Sequence, residues 1–247
     1  MIMKKIVFFI LLCLIFNFSN AQFNIHYNDK CGQLQLSGGT LNPSDELKDT
    51  SSVGLYAKKG FQMGFDFNYI IAYGFGIGGN FEIDQLKFNS TAFQTNSNAK
   101  QIKVKGGYSS SKFGLNIFEN IPIVLDENHF TIMLFGEFNA GLRGFNIPSI
   151  DLKYDELLNK YVEVSYRSRS NTMGYIGYSA GIQLLFIERI GVNVSYNTII
   201  PSRHTIKYSV RKTDAFGNVE EEENYLNNYL DHSGFQFGVF YIFGKHK

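Results

Sequence analysis

Apolar and polar residues alternate with a period of two along most of the chain. Between residues 61 and 69 every odd position is large and apolar and every even position is polar or glycine. Successive side chains of a β-strand point to opposite faces, so this pattern predicts a strand with one apolar face. The pattern recurs and predicts eight strands, at residues 33–41, 58–69, 74–85, 101–118, 129–143, 172–186, 190–199 and 234–243. In 101–118 the parity changes near Ser109–Ser111, which predicts a bulge or a strand boundary there.

The connections between the predicted strands alternate between long and short. They are 42–57 (long), 70–73 (short), 86–100 (long), 119–128 (middling), 144–171 (long), 187–189 (short) and 200–233 (long). An even number of antiparallel strands with short periplasmic turns and long outer loops is typical of transmembrane β-barrels. The prediction is therefore an all-β fold: an eight-stranded antiparallel up-and-down transmembrane β-barrel with both ends of the chain on the periplasmic side.

Alternation alone does not say which face meets lipid, because a soluble lipocalin-like barrel would turn its apolar face inward. Three features favour lipid outside. The apolar faces run for about ten residues, the length of a membrane-spanning strand. Glycines gather on the opposite face, which suits a narrow interior. Aromatic residues lie beside the short turns, as in an interfacial girdle: Tyr69, Tyr73, Phe75, Phe186, Tyr241 and Phe243.

The first residues have the pattern of a cleaved secretory signal peptide. Lys4 and Lys5 precede the apolar run 6–16, which is too short to span about 30 Å of hydrocarbon, and Ser19–Ala21 resembles a cleavage site. We expect residues 1–21 to be the signal peptide and residues 22–247 to be the barrel domain, located in the cell outer membrane. The mature chain then holds one cysteine, Cys31, and has no internal disulfide framework.

Composition narrows the function classes further. Charged residues make up 18% of the chain, below the roughly 25% of a soluble domain, and hydrophobic residues make up 44%. Disorder is therefore excluded as the main state. Lys and Arg number 23 against 22 Asp and Glu, so no basic surplus points to a nucleic-acid partner.

The last predicted strand carries a resemblance. Its polar residue, glycine and terminal aromatics resemble the C-terminal insertion signal of outer-membrane barrels: Gln236, Gly238, Tyr241 and Phe243. The chain departs from that pattern in continuing through 244–247. In layout the mature chain resembles the small OmpA/OmpX-like and PorT-like outer-membrane barrels. This resemblance implies a monomer inserted by the barrel-assembly machinery, with outer-membrane lipid and lipopolysaccharide, and other envelope or secretion proteins, as partners.

If the polar face is interior, six charged residues share the narrow lumen: Asp66, Glu82, Asp84, Lys112, Glu137 and Arg143. Two interpretations remain open. They could form a proton or ion path, with Arg143 and a carboxylate as a gate. Alternatively, they form a structural network, since an unpaired buried charge is costly. On the structural interpretation, replacing Glu137 by alanine lowers thermal stability without changing conductance.

No catalytic, cofactor or metal site is predicted. Asp231, His232 and Ser233 are adjacent, but neighbours on a strand point to opposite faces, and His204–Thr205 fails for the same reason. Glu220–Glu223 lacks the ligand spacing of a calcium loop and is interpreted as a solvated charge run. Basic residues in the two longest loops could contact lipopolysaccharide phosphates or only solvate the loops: Arg167, Arg169, Arg203, Lys207, Arg211 and Lys212.

The sequence thus predicts a non-enzymatic outer-membrane barrel whose long outer loops carry a structural, adhesion or secretion-accessory role. Two alternatives remain: a narrow porin-like channel and a lipid-A-modifying enzyme. A folded barrel should migrate faster unboiled than boiled on an SDS gel.

Overall fold

The computed structural model describes residues 30–51, 55–126, 130–155, 160–186 and 189–244. The predicted signal peptide and its cleavage site lie outside these residues and stay a prediction. Within the described ranges the chain forms two short helices, α1 (Asp45–Lys48) and α2 (Ser90–Ser97). Neither is long and apolar enough to cross a membrane. The strands are β1 (Cys31–Pro43), β2 (Ala57–Ala72), β3 (Phe75–Phe88), β4 (Gln101–Lys105), β5 (Tyr108–Asp126), β6 (Phe130–Asn146), β7 (Ser149–Lys153), β8 (Tyr161–Ser168), β9 (Asn171–Phe186), β10 (Ile190–Ile199), β11 (Arg203–Asp214), β12 (Val219–Tyr229) and β13 (His232–Phe243).

Eight of these strands close into an antiparallel barrel in the order β1-β13-β10-β9-β6-β5-β3-β2. The first and last strands pair with each other, from Gly32 opposite Phe243 to Pro43 opposite His232. The closed eight-stranded fold is confirmed, and so is the alternation of connections: 73–74, 127–129 and 187–189 are short, and the other four are long.

The prediction of one strand over 101–118 is wrong. The chain makes two strands there, and β4 belongs to a different sheet from β5. The break falls at Gly106–Gly107, where Gly106 has a φ of +76°, a backbone conformation that favours glycine. The expected strand boundary is real, but it lies just before Ser109–Ser111. Beyond it, β5 continues to Asp126, further than predicted.

The long connections are not simple loops. Residues 144–171 and 200–233, predicted as loops, contain β7, β8, β11 and β12. Together with β4 these strands form a second sheet in the order β12-β11-β8-β7-β4, which we call the outer sheet. In β7 alternate residues are buried as in the barrel strands, with Ile150 and Leu152 on one face, and Val164 of β8 is buried with them.

The barrel turns its apolar face outward. The apolar positions of its strands form an exposed belt, with Leu115 72% and Phe237 64% exposed, whereas the alternate positions are polar and buried. A soluble barrel would show the reverse arrangement, and an exposed apolar belt of this extent requires lipid around it. The membrane orientation is therefore confirmed.

Three buried apolar clusters divide the molecule along its long axis. The lower cluster fills the end of the lumen beside the short turns: Cys31, Ile70, Phe118, Met133, Leu185, Phe240 and Ile242. The upper cluster closes the other end and draws Leu47 from α1 and Ile206 from β11 onto barrel residues such as Phe145. The third cluster lies under the outer sheet, where Phe93 of α2 packs against it. Polar side chains fill the lumen between the first two clusters.

Candidate functional site

Four of the six predicted luminal charges meet between the two apolar clusters of the lumen. Lys112 Nζ lies 2.8 Å from Glu82 Oε1 and 3.2 Å from Asp84 Oδ2. Arg143 lies 4.0 Å from Asp84 Oδ2 and donates a 2.7 Å hydrogen bond to the carbonyl of Leu230. The strand register explains the meeting, because Lys112 of β5 is directly opposite both Glu82 of β3 and Arg143 of β6. The Asp84 carboxylate thus lies beside two buried cations, Lys112 and Arg143.

Sequence reasoning missed two members of this network. His232 Nε2 lies 3.0 Å from Asp84 Oδ2, and Ser110 Oγ donates a 2.8 Å hydrogen bond to the same oxygen. From the sequence, His232 was considered only as a catalytic candidate, whereas in the structure it begins β13 and is buried. The alternation itself could have revealed this, because His232 is an even-numbered position like Gln236 and Gly238, and even positions of this strand are predicted to face the lumen.

Asp66 and Glu137 lie apart from the network, nearer the lower cluster. Asp66 accepts a 3.1 Å hydrogen bond from Gln35, and Glu137 accepts a 3.3 Å hydrogen bond from Asn139. Among the described residues neither carboxylate has a salt bridge. The lumen therefore holds a paired charged layer and, below it, a layer in which these two carboxylates accept hydrogen bonds from amides. The predicted stability loss in the Glu137 variant would involve this amide layer, and it stays a prediction.

The lumen has little free volume around these side chains. Side chains of the charged and amide layers line two cavities. Each cavity has a volume of about 20 Å³, enough for about one water molecule. Glu82 borders both cavities. The apolar clusters above and below contain no charged side chain.

Glu82, Asp84 and His232 also invite a test as metal ligands, since their ligand atoms lie within 4.8 Å of one another. The Lys112 ammonium already occupies the position between the two carboxylates. A divalent cation would have to displace it beside the Arg143 guanidinium, against the repulsion of a like charge. The donor set does not fit a metal, and we assign none to it.

Nucleophilic catalysis needs a base between the nucleophile and its orienting acid. In the lumen the order is reversed, because Asp84 lies between Ser110 and His232. On the surface, Ser202 Oγ and His204 Nε2 are 2.6 Å apart, a pair that sequence reasoning did not single out. Burial lowers the pKa of His204, with a smaller contribution from the Arg143 charge. Among the described residues no carboxylate contacts His204, so this pair lacks the acidic member of a catalytic triad.

The acidic run Glu220–Glu223 is not a loop. It lies in β12, the edge strand of the outer sheet, and its carboxylates are partnered across the sheet. Lys212 Nζ lies 2.8 Å from Glu222, Arg169 lies 3.2 Å from Glu221 and 3.9 Å from Glu223, and Tyr161 donates a 2.6 Å hydrogen bond to Glu220. Glu220, Glu221 and Glu223 are nevertheless exposed, so the run is a solvated charged face of the strand, and exposed pairs of this kind add little to stability.

Asp151 ties β7 to β8 within the outer sheet. It forms an ion pair with Arg167 and accepts a 2.6 Å hydrogen bond from Ser165. Burial acts to raise the pKa of Asp151, but the Ser165 hydrogen bond and the Arg167 charge together hold that pKa below its ordinary value. The contribution of this pair to stability is thus present at neutral pH and is lost as the pH falls through the lowered pKa of Asp151.

The residues of the predicted insertion signal lie on β13 as the alternation requires. Gln236 is buried in the lumen, and Tyr241 is exposed on the belt near the short-turn end. Phe243 packs against Phe67 at a ring separation of 6.2 Å. At Gly238 a side chain would meet Asn193 Oδ1 at 2.2 Å. Their role in insertion stays a prediction.

Comparison with known proteins adds structural neighbours only. No protein-family model and no curated protein matches the chain. The chain is similar to outer membrane protein OprG from Pseudomonas aeruginosa, at 13% identity and a TM-score of 0.46, over 87% of this chain and 98% of that one. It is also similar to a major outer membrane protein from Thermus thermophilus, at 10% identity and a TM-score of 0.44, over 86% and 99%. Neisserial surface protein A aligns at 12% identity and a TM-score of 0.41, over 85% and 96%.

The structure itself decides the class of the protein. It is a closed barrel of eight antiparallel strands, with an apolar belt outside and polar side chains within. Exposing that apolar belt to water would be unfavourable, whereas lipid can surround it. A closed barrel also leaves no unpaired strand edge in lipid. The chain is therefore a small integral outer-membrane β-barrel protein.

Proposed function

We propose that this barrel is non-enzymatic and that its outer sheet is an interaction surface, serving adhesion, envelope structure or a secretion machine. The observation that carries the proposal is the outer sheet itself. Three of the four long connections contribute strands to it, and its own apolar cluster packs beneath it. Flexible loops would need no such core. A rigid sheet held above the membrane presents a fixed surface, as recognition requires.

The edges of the outer sheet support this proposal. Strands β12 and β4 each pair with one neighbour only within the described residues. An unpaired edge can accept a further strand from a partner. The β12 edge also exposes Tyr225, and Phe216 at the β11–β12 turn is 91% exposed. Exposed aromatic residues of this kind are enriched where proteins bind one another.

Site-specific photo-cross-linking in intact cells tests the proposed surface. A photoreactive amino acid replacing Tyr225 should form protein adducts. The matched control, the same amino acid replacing Phe113 in the belt, should cross-link lipid only. Both variants should keep the faster unboiled migration on SDS gels that marks a folded barrel. Adducts of equal yield at both positions, or none at Tyr225, would contradict the proposal.

The alternative of a narrow channel predicts a measurable current, whereas the proposal predicts none. The two apolar clusters and the single-water cavities support a closed lumen. We expect the refolded full-length protein to give no conductance steps in planar bilayers, at neutral or acidic pH. Reproducible steps that disappear in a Lys112→Met variant would instead establish the ion path through the charged layer.

The remaining expectations concern how the protein reaches its place. We propose export through a cleaved signal peptide at residues 1–21, followed by insertion by the barrel-assembly machinery through the β13 signal. The inward position of Gln236 and the outward position of Tyr241 are compatible with such a signal. We also propose that the barrel is monomeric, as its resemblance to small outer-membrane barrels implies, and binds no cofactor, because its own side chains fill the lumen.

A further inference from the structure

A groove opens on the membrane-facing side of the barrel, at the outer edge of the belt. Strands β3 and β5 pair only as far as Leu86 opposite Tyr108, whereas β2 and β3 remain paired to Phe88. The groove has a volume of about 460 Å³, within the range of about 300–1,000 Å³ for small-molecule sites. Its lining is mainly apolar, with Phe61, Leu86, Phe88 and Val104, and Lys87 lies at its rim.

The groove lies where the chain leaves the barrel, between β4 and β5 at Gly106–Gly107. Gly106 borders the groove and is exposed, and a side chain there would meet no atom within 4 Å. The belt residue Phe61 is both exposed and part of the lining. The groove is thus continuous with the surface that touches lipid, and a hydrocarbon chain lying along the belt can enter it.

Two lysines stand directly above the apolar part of the groove. Lys58 of β2 is opposite Lys87 of β3 in the barrel register, and both are exposed on the lipid-facing side. Like charges directly opposite on a sheet repel each other. Among the described residues no salt bridge joins either lysine to an acidic side chain, so an anion between them would relieve the repulsion.

The next position down the same face is intermediate in polarity. Phe61 lies opposite Gln85, and below them Met63 lies opposite Ile83. The face therefore passes from two ammonium groups through an amide to apolar side chains, in the direction of the membrane interior. Cations, an amide and then hydrocarbon are the complement of a lipid that carries a phosphate headgroup.

We propose that this groove binds a phosphate-bearing lipid of the outer leaflet. The phosphate is held between Lys58 and Lys87, and one acyl chain lies against Phe61 and the groove lining. The inference rests on the membrane position of the barrel and is independent of what the outer sheet binds. No basic residue of the outer sheet contributes to it.

Native mass spectrometry of the full-length protein in a non-ionic detergent tests the site, with diphosphorylated lipid A as the probe. The wild type should form a one-to-one adduct with this lipid, should discriminate against phosphatidylcholine, and should keep the adduct in millimolar inorganic phosphate. The Lys58→Gln/Lys87→Gln variant should bind about thirtyfold more weakly, from about 1 kcal/mol per lysine near an anionic surface. The Lys103→Gln/Lys153→Gln control, on the outer sheet, should bind as the wild type does.

Three outcomes would overturn the proposal: no adduct with the wild type, equal binding of phosphatidylcholine, or unchanged binding in the Lys58/Lys87 variant. Displacement by inorganic phosphate alone would show that the groove holds no acyl chain and would also overturn it. If the double variant fails to fold, Lys87→Gln alone should bind about fivefold more weakly. The SDS-gel shift, measured on each sample, separates loss of the site from loss of the barrel.

Discussion

Replacing Asp84 by alanine is expected to lower the free energy of unfolding of the barrel by about 3–5 kcal/mol. Asp84 is buried, and its Oδ2 is shared by Lys112, Arg143 and His232. Removing the carboxylate leaves Lys112 with Glu82 alone and leaves Arg143 without its acidic neighbour, in a layer closed to water above and below. The measurement is the urea dependence of folding in lipid vesicles, followed by circular dichroism and by gel mobility.

Two companion variants sharpen this test. Asp84→Asn keeps the shape and the contact with Ser110 but removes the charge, so its loss of stability should be smaller than that of Asp84→Ala. Asp45→Ala removes the acid of an exposed pair with Lys48 at 3.4 Å and should leave the unfolding curve unchanged. If Asp84→Ala unfolds at the same urea concentration as the wild type, the charged layer is not what stabilises the barrel.

Replacing Gly141 by valine is expected to prevent folding altogether. Gly141 of β6 faces Gly114 of β5 across the ladder in the middle of the lumen. A Cβ at Gly141 would lie 2.1 Å from the carbonyl oxygen of Phe113 and 2.5 Å from the Cα of Gly114. Both are backbone atoms of the neighbouring strand and cannot move aside as a side chain can, so the cost exceeds the about 1–3 kcal/mol usual for overpacking.

The same strand supplies the control. Gly136 of β6 lies five residues earlier, on the lipid-facing side, and a Cβ there would meet no atom within 4 Å. Gly136→Val should therefore fold with the gel shift of the wild type. The yield of heat-modifiable protein after refolding compares the two variants directly. Normal yield from Gly141→Val would mean that the lumen is wider than its glycines indicate.

The period-two pattern was sufficient for the barrel because lipid imposes one rule on every strand. Each outward position must be apolar, so eight strands could be found without knowing their partners. The residues that the rule turned inward, among them Asp84, Lys112 and Arg143, do meet in the lumen. Their distances could not be predicted, since they depend on the register between strands that are about 30 residues apart in sequence.

The outer sheet could not be predicted in the same way, because it has no lipid-facing side on which every position must be apolar. In β12 four glutamates occupy consecutive positions, which erases the alternation, and only the backbone pairing with β11 makes that segment a strand. Some side-chain contacts of β12 also join residues about 50 apart in sequence, such as Arg169 and Glu221. His232 was missed for a related reason, since a single polar residue at a strand end shows its orientation only when the strand is extended to include it.

The upper apolar cluster makes the barrel and its outer connections a single folding unit. Leu47, Ile206 and Leu230 come from outer connections, yet they pack with Leu86 and Phe145 of the barrel strands. The mouth of the barrel therefore cannot be covered until the outer connections of β1–β2 and β10–β13 have both crossed the bilayer. Until then the charged layer of the lumen is open to water from outside. Translocation of the last long connection is thus the step that closes the charged layer to water, while the lower cluster still blocks the other end of the lumen.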